Sequence, residues 1–307
     1  MKPETRPPGE RLKKPQSAVR GRIVEIGQRL SSLYNVCILP ATDKNVAGAH
    51  LETLYWPRRI ARCCGASLTL LGVVVLFGWF LGIGSIKSVR PGLMEMKANT
   101  ALCFLLSGAA LWTTASPRCT FRHRISSAGA YLIITVGLAT AFEYLSGANL
   151  GIDEMLIRDP PEAEAAHWVL QPGRMALVTA LAFVMAGASL LLLRGRATAV
   201  AQLLACGTAL TALFSLATYL WRDVAMTGVE PYTALALHTA VGFGVLAVGL
   251  LAAAPSHGPV AILVSPTLSG ALARVLLPAA IGITLVLGTL EVAGLRAGWY
   301  RATYGMA

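Results

Sequence analysis

The apolar residues of this 307-residue chain fall into long runs without Asp, Glu, Lys or Arg, and these runs limit what it can fold into. Seven such runs cover residues 63–86, 98–117, 125–142, 175–193, 197–221, 231–273 and 275–290. A helix needs about 20 predominantly apolar residues to cross the hydrocarbon of a bilayer. Only 13% of the residues are charged, whereas soluble domains average about 25%. The sequence therefore predicts an integral membrane protein.

The fold class predicted from these runs is all-α, a polytopic membrane protein of about seven transmembrane helices. Their expected ranges are 64–85, 98–115, 126–146, 174–194, 198–221, 233–254 and 274–297. Two short links carry arginines and no acid: the first holds Arg118, Arg122 and Arg124, and the second holds Arg194 and Arg196. By the positive-inside rule these links face the cytoplasm. We therefore expect a multi-pass protein of the bacterial inner membrane with a cytoplasmic N-terminus.

The N-terminal segment differs in composition from the rest of the chain. Residues 1–62 hold 12 of the 26 Lys and Arg residues, including Arg58, Arg59 and Arg62. Its proline and charge content predicts a basic, largely disordered cytoplasmic tail. The net charge of +11 is concentrated there and in the links, which favours contact with anionic lipid over a nucleic-acid partner. Residues 63–299 are then the transmembrane domain, and 300–307 are a short C-terminal segment.

A short pattern occurs three times, each time near the start of an even-numbered predicted helix. The copies are Thr100-Ala-Leu-Cys-Phe104, Thr179-Ala-Leu-Ala-Phe183 and Thr239-Ala-Val-Gly-Phe243. A spacing of four places Thr and Phe on one helix face. Because the odd-numbered helices end in aromatic clusters, we expect three related hairpins plus a seventh helix. Such a pattern is more often used for helix packing than for ligand binding, and both interpretations stay open.

Four segments resemble a known family. They are Met96-Lys-Ala-Asn-Thr-Ala-Leu-Cys-Phe104, Ala148-Asn-Leu-Gly-Ile-Asp-Glu-Met-Leu156, Pro172-Gly-Arg-Met175 and Pro231-Tyr-Thr-Ala-Leu-Ala-Leu-His-Thr239. In this order they are similar to the N-terminal membrane region of bacterial hybrid sensor histidine kinases and related PAS or diguanylate-cyclase signalling proteins. The resemblance implies a sensory region that can form a homodimer and is followed by a further helix and cytoplasmic kinase or cyclase output domains. This chain contains no kinase, nucleotide-binding or cyclase motif, so we expect no catalysis within it.

Polar side chains at membrane depth are the candidates for sensing or ligand binding. They are Lys97, Asn99, Thr100, Glu143, Thr179, His238, Thr239 and Glu291. Lys97, Asn99 and Glu143 are expected near the outer face, where they either line a shallow pocket or reach the interface. His238 fits a pH switch or a packing role. The six cysteines have no metal-ligand spacing, and neither a metal nor a cofactor is predicted.

The leading functional hypothesis is a membrane-embedded signal-input module of a two-component or related signal-transduction system. A small transporter is the second hypothesis, since internal repeats are also common in transporters. The third is a membrane anchor that recruits a partner through its basic tail. The chain ends at Ala307, before the further helix that the family resemblance implies, so the input module is expected to need an additional segment or partner.

Overall fold

The computed structural model describes residues 44–89, 94–116, 120–158, 172–193, 195, 197–220, 235–255 and 258–299. Contacts divide the chain into two units, residues 1–51 and 52–307. Of the first unit only residues 44–51 are described, and they are helical. Most of the segment predicted as a disordered tail therefore lies outside the described residues, although a helix already begins at Lys44.

The described residues form nine helices and no β-strand, which confirms the all-α prediction. We number them α1 (Lys44–Phe80), α2 (Gly84–Ser88), α3 (Ala98–Thr114), α4 (Thr120–Ser146), α5 (Leu177–Leu192), α6 (Thr198–Leu220), α7 (Leu237–Ala252), α8 (Gly258–Val264) and α9 (Leu268–Arg296). Seven of them, α1, α3, α4, α5, α6, α7 and α9, correspond to the seven predicted helices.

Four segments within these helices are long and apolar enough to cross a membrane. They are Trp56–Phe80, His123–Ser146, Thr198–Leu220 and Leu268–Gly294. Helices α3, α5 and α7 have only 17, 16 and 16 residues. Long and short helices therefore alternate along the chain from α1 to α9, apart from the two very short helices. The chain is a membrane protein with four helices of full spanning length in the described residues.

An extended segment leads into each short helix; α3 begins at the predicted residue 98, whereas α5 and α7 begin three and four residues later than predicted. The residues before α3, α5 and α7 are Lys97, Ala176 and Ala236, with φ/ψ of −68/151°, −59/148° and −62/145°. The predicted starts at residues 174 and 233 are therefore wrong by about one turn. Apolar periodicity cannot separate an extended segment from a first helical turn when both are buried.

Three other boundaries also differ from the prediction. Helix α1 ends at Phe80 rather than near residue 85, because Gly82 adopts a φ of +68° and the Ile83 N–H donates to the Gly78 carbonyl at 2.9 Å. This is the hydrogen-bond pattern of a Schellman C-cap. Helices α4 and α9 begin at Thr120 and Leu268, about six residues before the predicted starts, because a helix continues into residues that polarity alone assigns to a link.

The three short helices lie in the interior, and their repeated phenylalanines meet one another there. We call Phe104, Phe183 and Phe243 the phenylalanine core. All three side chains are fully buried, and their ring centroids are 5.0, 5.0 and 4.8 Å apart. Seven residues after each phenylalanine lies another buried leucine, at Leu111, Leu190 and Leu250. The three copies of the sequence repeat therefore pack against one another in the same register.

Glycines allow the long helices to lie very close to the short ones. A Cβ atom on Gly108 of α3 would be 2.5 Å from the Gly65 carbonyl oxygen and 2.5 Å from the Thr69 nitrogen, both in α1. The equivalent Gly187 of α5 faces the backbone and Ile134 side chain of α4, at 3.0 and 2.7 Å. Small residues at the contact between two membrane helices allow the helix backbones to approach closely.

This close approach predicts that Gly108→Ala destabilises the protein although alanine favours helix. The added methyl group would meet backbone atoms of α1 that cannot move aside without separating the helices, which costs about 1–3 kcal/mol. Gly282→Ala in α9 is the matched control, because a Cβ there meets nothing within 4 Å. Unfolding of both variants in mixed detergent micelles measures the difference. Equal stability of the two variants would contradict the α1–α3 contact.

Candidate functional site

A small polar cavity lies where the three short helices begin. We call it the threonine cavity, because the repeated threonines Thr100, Thr179 and Thr239 all line it. Its volume is about 40 Å³, which is enough for a small ion or very few water molecules. Its other polar lining residues are Glu95, Lys97 and Arg174. The threonines lie four residues before the phenylalanine core, which is about one helical turn.

An aromatic residue at the end of each preceding long helix holds the extended segment beside this cavity. The Trp79 indole donates to the Met96 carbonyl at 2.8 Å. The Tyr144 hydroxyl donates to the Met175 carbonyl at 3.2 Å, and the Tyr219 hydroxyl donates to the Leu235 carbonyl at 2.5 Å. The same hydrogen bond thus occurs in all three copies of the repeat.

The hydrogen bonds from these aromatic residues explain why the repeated threonines do not bond to a carbonyl of their own helix. A helical threonine commonly bonds to the carbonyl four residues earlier, as Thr69 does to Gly65 at 2.9 Å. For Thr100 that carbonyl belongs to Met96, which lies in the extended segment and accepts from an indole instead. The same holds for Thr179 and Thr239. Within the part of the chain that the structure describes, these three hydroxyls have no hydrogen-bond partner.

A buried group of charges adjoins the cavity. We call Glu143, Asp153 and Arg174 the ion cluster; all three side chains are at most 7% exposed. The Arg174 Nε donates to Asp153 Oδ2 at 2.7 Å, and its Nη2 lies 3.5 Å from Glu143 Oε2. Two carboxylates against one guanidinium leave a net charge of −1 when all three groups are ionised. Such a cluster is expensive to bury unless every member keeps its partner.

The ion cluster ties a loop to the starts of two short helices. Leu150 N–H donates to Glu143 Oε1 at 2.7 Å. The Asn99 amide donates to the carbonyls of Ile152 and Asp153 at 2.8 and 3.1 Å. The loop after α4, residues 147–158, is therefore held by α3 through Asn99 and by the segment before α5 through Arg174. A change in this loop would act directly on the residues that line the threonine cavity.

The burial of the ion cluster predicts that one of its carboxyl groups, that of Asp153, titrates between pH 5 and 7. Burial raises the pKa of Asp153 from its ordinary value near 3.8 to about 6, while the hydrogen bond from Arg174 opposes this shift. The folded state therefore binds a proton more tightly than the unfolded chain, and Asp153 lowers folding stability as pH rises from about 4 through about 6. We expect a carboxyl band in infrared difference spectra that titrates near pH 6 and is lost in Asp153→Asn. A wild-type spectrum without such a band would contradict this.

Six of the eight candidate residues lie at or beside the threonine cavity. Lys97, Thr100, Thr179 and Thr239 line it. Asn99 and Glu143 hold the adjoining loop. The other two, His238 and Glu291, do not line the cavity: the ring nitrogens of His238 are buried without a hydrogen-bond partner in the described residues, and Glu291 is exposed on α9.

Two residues of the ion cluster were missed as candidates from the sequence. Arg174 resembles a charge that marks a helix end, and Asp153 is one of several loop acids. The signal that could have found them is an acid at the end of one apolar run, Glu143, followed by an arginine at the start of the next. Of the basic surface residues, Arg58, Arg59 and Arg124 are exposed and Arg62 is half-buried, whereas Arg122 falls within α4 and Arg118, Arg194 and Arg196 lie outside the described residues.

Comparison with known protein families, with curated proteins and with solved structures gives no match for this chain.

Proposed function

We propose that this chain is the membrane-embedded signal-input module of a bacterial signal-transduction protein, with the threonine cavity as its sensing site. The observation that carries this proposal is the convergence of three repeated helix starts on one small polar cavity. A cue that enters the cavity, or that changes the loop held by the ion cluster, would shift α3, α5 and α7 together. Each of these helices contributes one threonine to the cavity and one phenylalanine to the phenylalanine core.

The phenylalanine core favours this function over transport. A transporter needs a route past its substrate site, commonly along the interface between repeats. Here the interface of the three repeats is filled by Phe104, Phe183 and Phe243, with neighbouring ring centroids about 5 Å apart. The rings lie one helical turn from the threonines. A packed interface of this kind fits detection of a ligand better than passage of one.

The proposed topology has seven spans, arranged as three hairpins plus α9. Its support is the contact of α1 with α3 through Gly65 and Gly108, and the matching contact of α4 with α5. With the basic links in the cytoplasm, the N-terminus lies inside and residue 299 lies outside. An additional helix would then be needed to reach a cytoplasmic kinase or cyclase domain, and the exposed apolar surface of α9 is available to lipid, to that helix or to a second copy.

A kinase fusion tests the proposed function. The chain would be joined through one added transmembrane helix to a histidine kinase domain, and autophosphorylation would be measured in membrane vesicles. We expect Thr100→Val, Lys97→Gln and Asn99→Ala each to change the autophosphorylation rate at equal expression, whereas Thr284→Val on the exposed face of α9 leaves it unchanged. A rate that is indifferent to all the cavity variants would refute the sensing site, and solute uptake into proteoliposomes would favour a transporter instead.

A further inference from the structure

Three helix N-termini converge on the threonine cavity, and none of them has a side-chain cap. The N-cap residues Lys97, Ala176 and Ala236 make no capping hydrogen bond. The first N–H groups of a helix have no acceptor within that helix. They also carry the positive end of the helix dipole, which is why helix N-termini bind anions. The helices have 16 or 17 residues each, so their dipoles are well developed.

The threonine hydroxyls are a second and independent indication of a ligand. Thr100, Thr179 and Thr239 are 3%, 2% and 2% exposed, line the cavity and have no hydrogen-bond partner within the described residues. Each of the three hydroxyls therefore offers a hydrogen-bond donor beside a space of about 40 Å³. A bound species that accepts hydrogen bonds would satisfy all three groups at once.

The charged residues that line the cavity are of both signs. Two cations and one carboxylate line it: Lys97, Arg174 and Glu95. Glu95 Oε2 is itself 3.9 Å from Lys87 Nζ, so this carboxylate faces a cation outside the lining. Arg174 is engaged by Asp153 and Glu143, so the donors for an anion are the hydroxyls and the helix N-termini rather than this guanidinium.

We infer that the threonine cavity binds a small monovalent anion, either a halide or the carboxylate of a short organic acid. The cavity volume of about 40 Å³ fits a small anion, and the donors are the first-turn N–H groups and the three hydroxyls. This inference rests on the proposed function, because it names the class of ligand that the proposed sensing site would bind. Anion binding without any effect on kinase output would refute the proposed function alone, and a cavity-dependent output without anion binding would refute this inference alone.

The test measures anion binding to the purified full chain in a neutral detergent. The broadening of the ³⁵Cl resonance reports bound chloride, with formate, acetate and the bulky anion gluconate added as competitors at constant ionic strength. We expect saturable chloride binding that formate or acetate displaces and gluconate does not. Displacement by acetate points to a carboxylate ligand, and displacement by bromide alone points to a halide. Broadening no greater than in detergent without protein would overturn the inference, because the cavity would then hold only water.

Matched variants locate the site. The triple variant Thr100→Val, Thr179→Val and Thr239→Val keeps the side-chain shape but removes the donors, so chloride affinity should fall at least about tenfold. The corresponding triple serine variant keeps the hydroxyls and should retain binding. Ala176→Asp places a tethered carboxylate at one helix N-terminus; it should abolish chloride binding while the variant stays folded, which covers the case that the valine triple does not fold. Undiminished binding in both the valine triple and Ala176→Asp would place the anion elsewhere and overturn the inference.

Discussion

Arg174→Met is expected to lower the free energy of unfolding by about 3–5 kcal/mol, the usual cost of removing one partner from a buried ion pair. The substitution leaves the carboxylates of Glu143 and Asp153 buried without their common cation, whose atoms lie 3.5 and 2.7 Å away in the native protein. The loop after α4 should also loosen, because the pair between Asp153 and Arg174 is one of its two attachments. Unfolding in mixed micelles measures the stability, and hydrogen exchange of residues 147–158 reports the loop.

Two further variants separate loss of the ion pair from loss of a long side chain. Combining Arg174→Met with Glu143→Gln and Asp153→Asn removes the unpaired charges and should restore most of the stability. Arg58→Met, on the exposed surface of α1, should change stability by less than about 0.5 kcal/mol. If Arg174→Met unfolds like Arg58→Met, the three charges of the ion cluster are not buried together.

Phe183→Ala is the second change with a large expected effect, and we expect a loss of about 3 kcal/mol. Within a membrane the lipid is as apolar as the protein interior, so burial itself gives little stability. The cost instead arises because the truncated side chain no longer packs against two neighbouring rings, whose centroids lie 5.0 and 4.8 Å away. Phe104→Ala and Phe243→Ala should have similar effects, because each ring packs against the other two.

The control for this series is Phe142→Ala in α4, where the side chain is 53% exposed. It removes the same atoms from a side chain that faces mainly the surroundings of the protein, so stability should change by less than about 0.5 kcal/mol. Double variants within the phenylalanine core should be non-additive, since the second truncation enlarges a cavity that already exists. Additive losses for Phe104→Ala with Phe243→Ala would mean that these rings do not touch.

The register of the repeat could be predicted from the sequence, but its geometry could not. A spacing of four correctly placed Thr100 with Phe104 on one face of a helix, and likewise in the other two copies. The packing interpretation holds for the phenylalanines, while the threonines line a cavity, so ligand binding by them stays a prediction. Helical periodicity concerns one helix at a time, however, and does not say that three such faces meet one another.

The features that escaped prediction depend on partners distant in sequence or on departures from helix. Arg174 meets partners 21 and 31 residues earlier, and nothing local to Arg174 shows that it is buried. The extended segments before α3, α5 and α7 accept hydrogen bonds from Trp79, Tyr144 and Tyr219, which lie 16 to 31 residues earlier. Because these partners are distant in sequence, the predicted starts of α5 and α7 were wrong.

Cross-linking of the repeated threonines in native membranes tests the central claim, the meeting of three helix starts at one cavity, most directly. Thr100→Cys, Thr179→Cys and Thr239→Cys would be combined in pairs after the six native cysteines are replaced. A short fluorogenic reagent that must alkylate two thiols reports whether a pair is close. We predict a reaction for all three pairs and none for Thr100→Cys with Thr284→Cys, a position exposed on α9. Failure of the three threonine pairs in folded protein, or an equal reaction of the control pair, would contradict the shared cavity and the functions proposed for it.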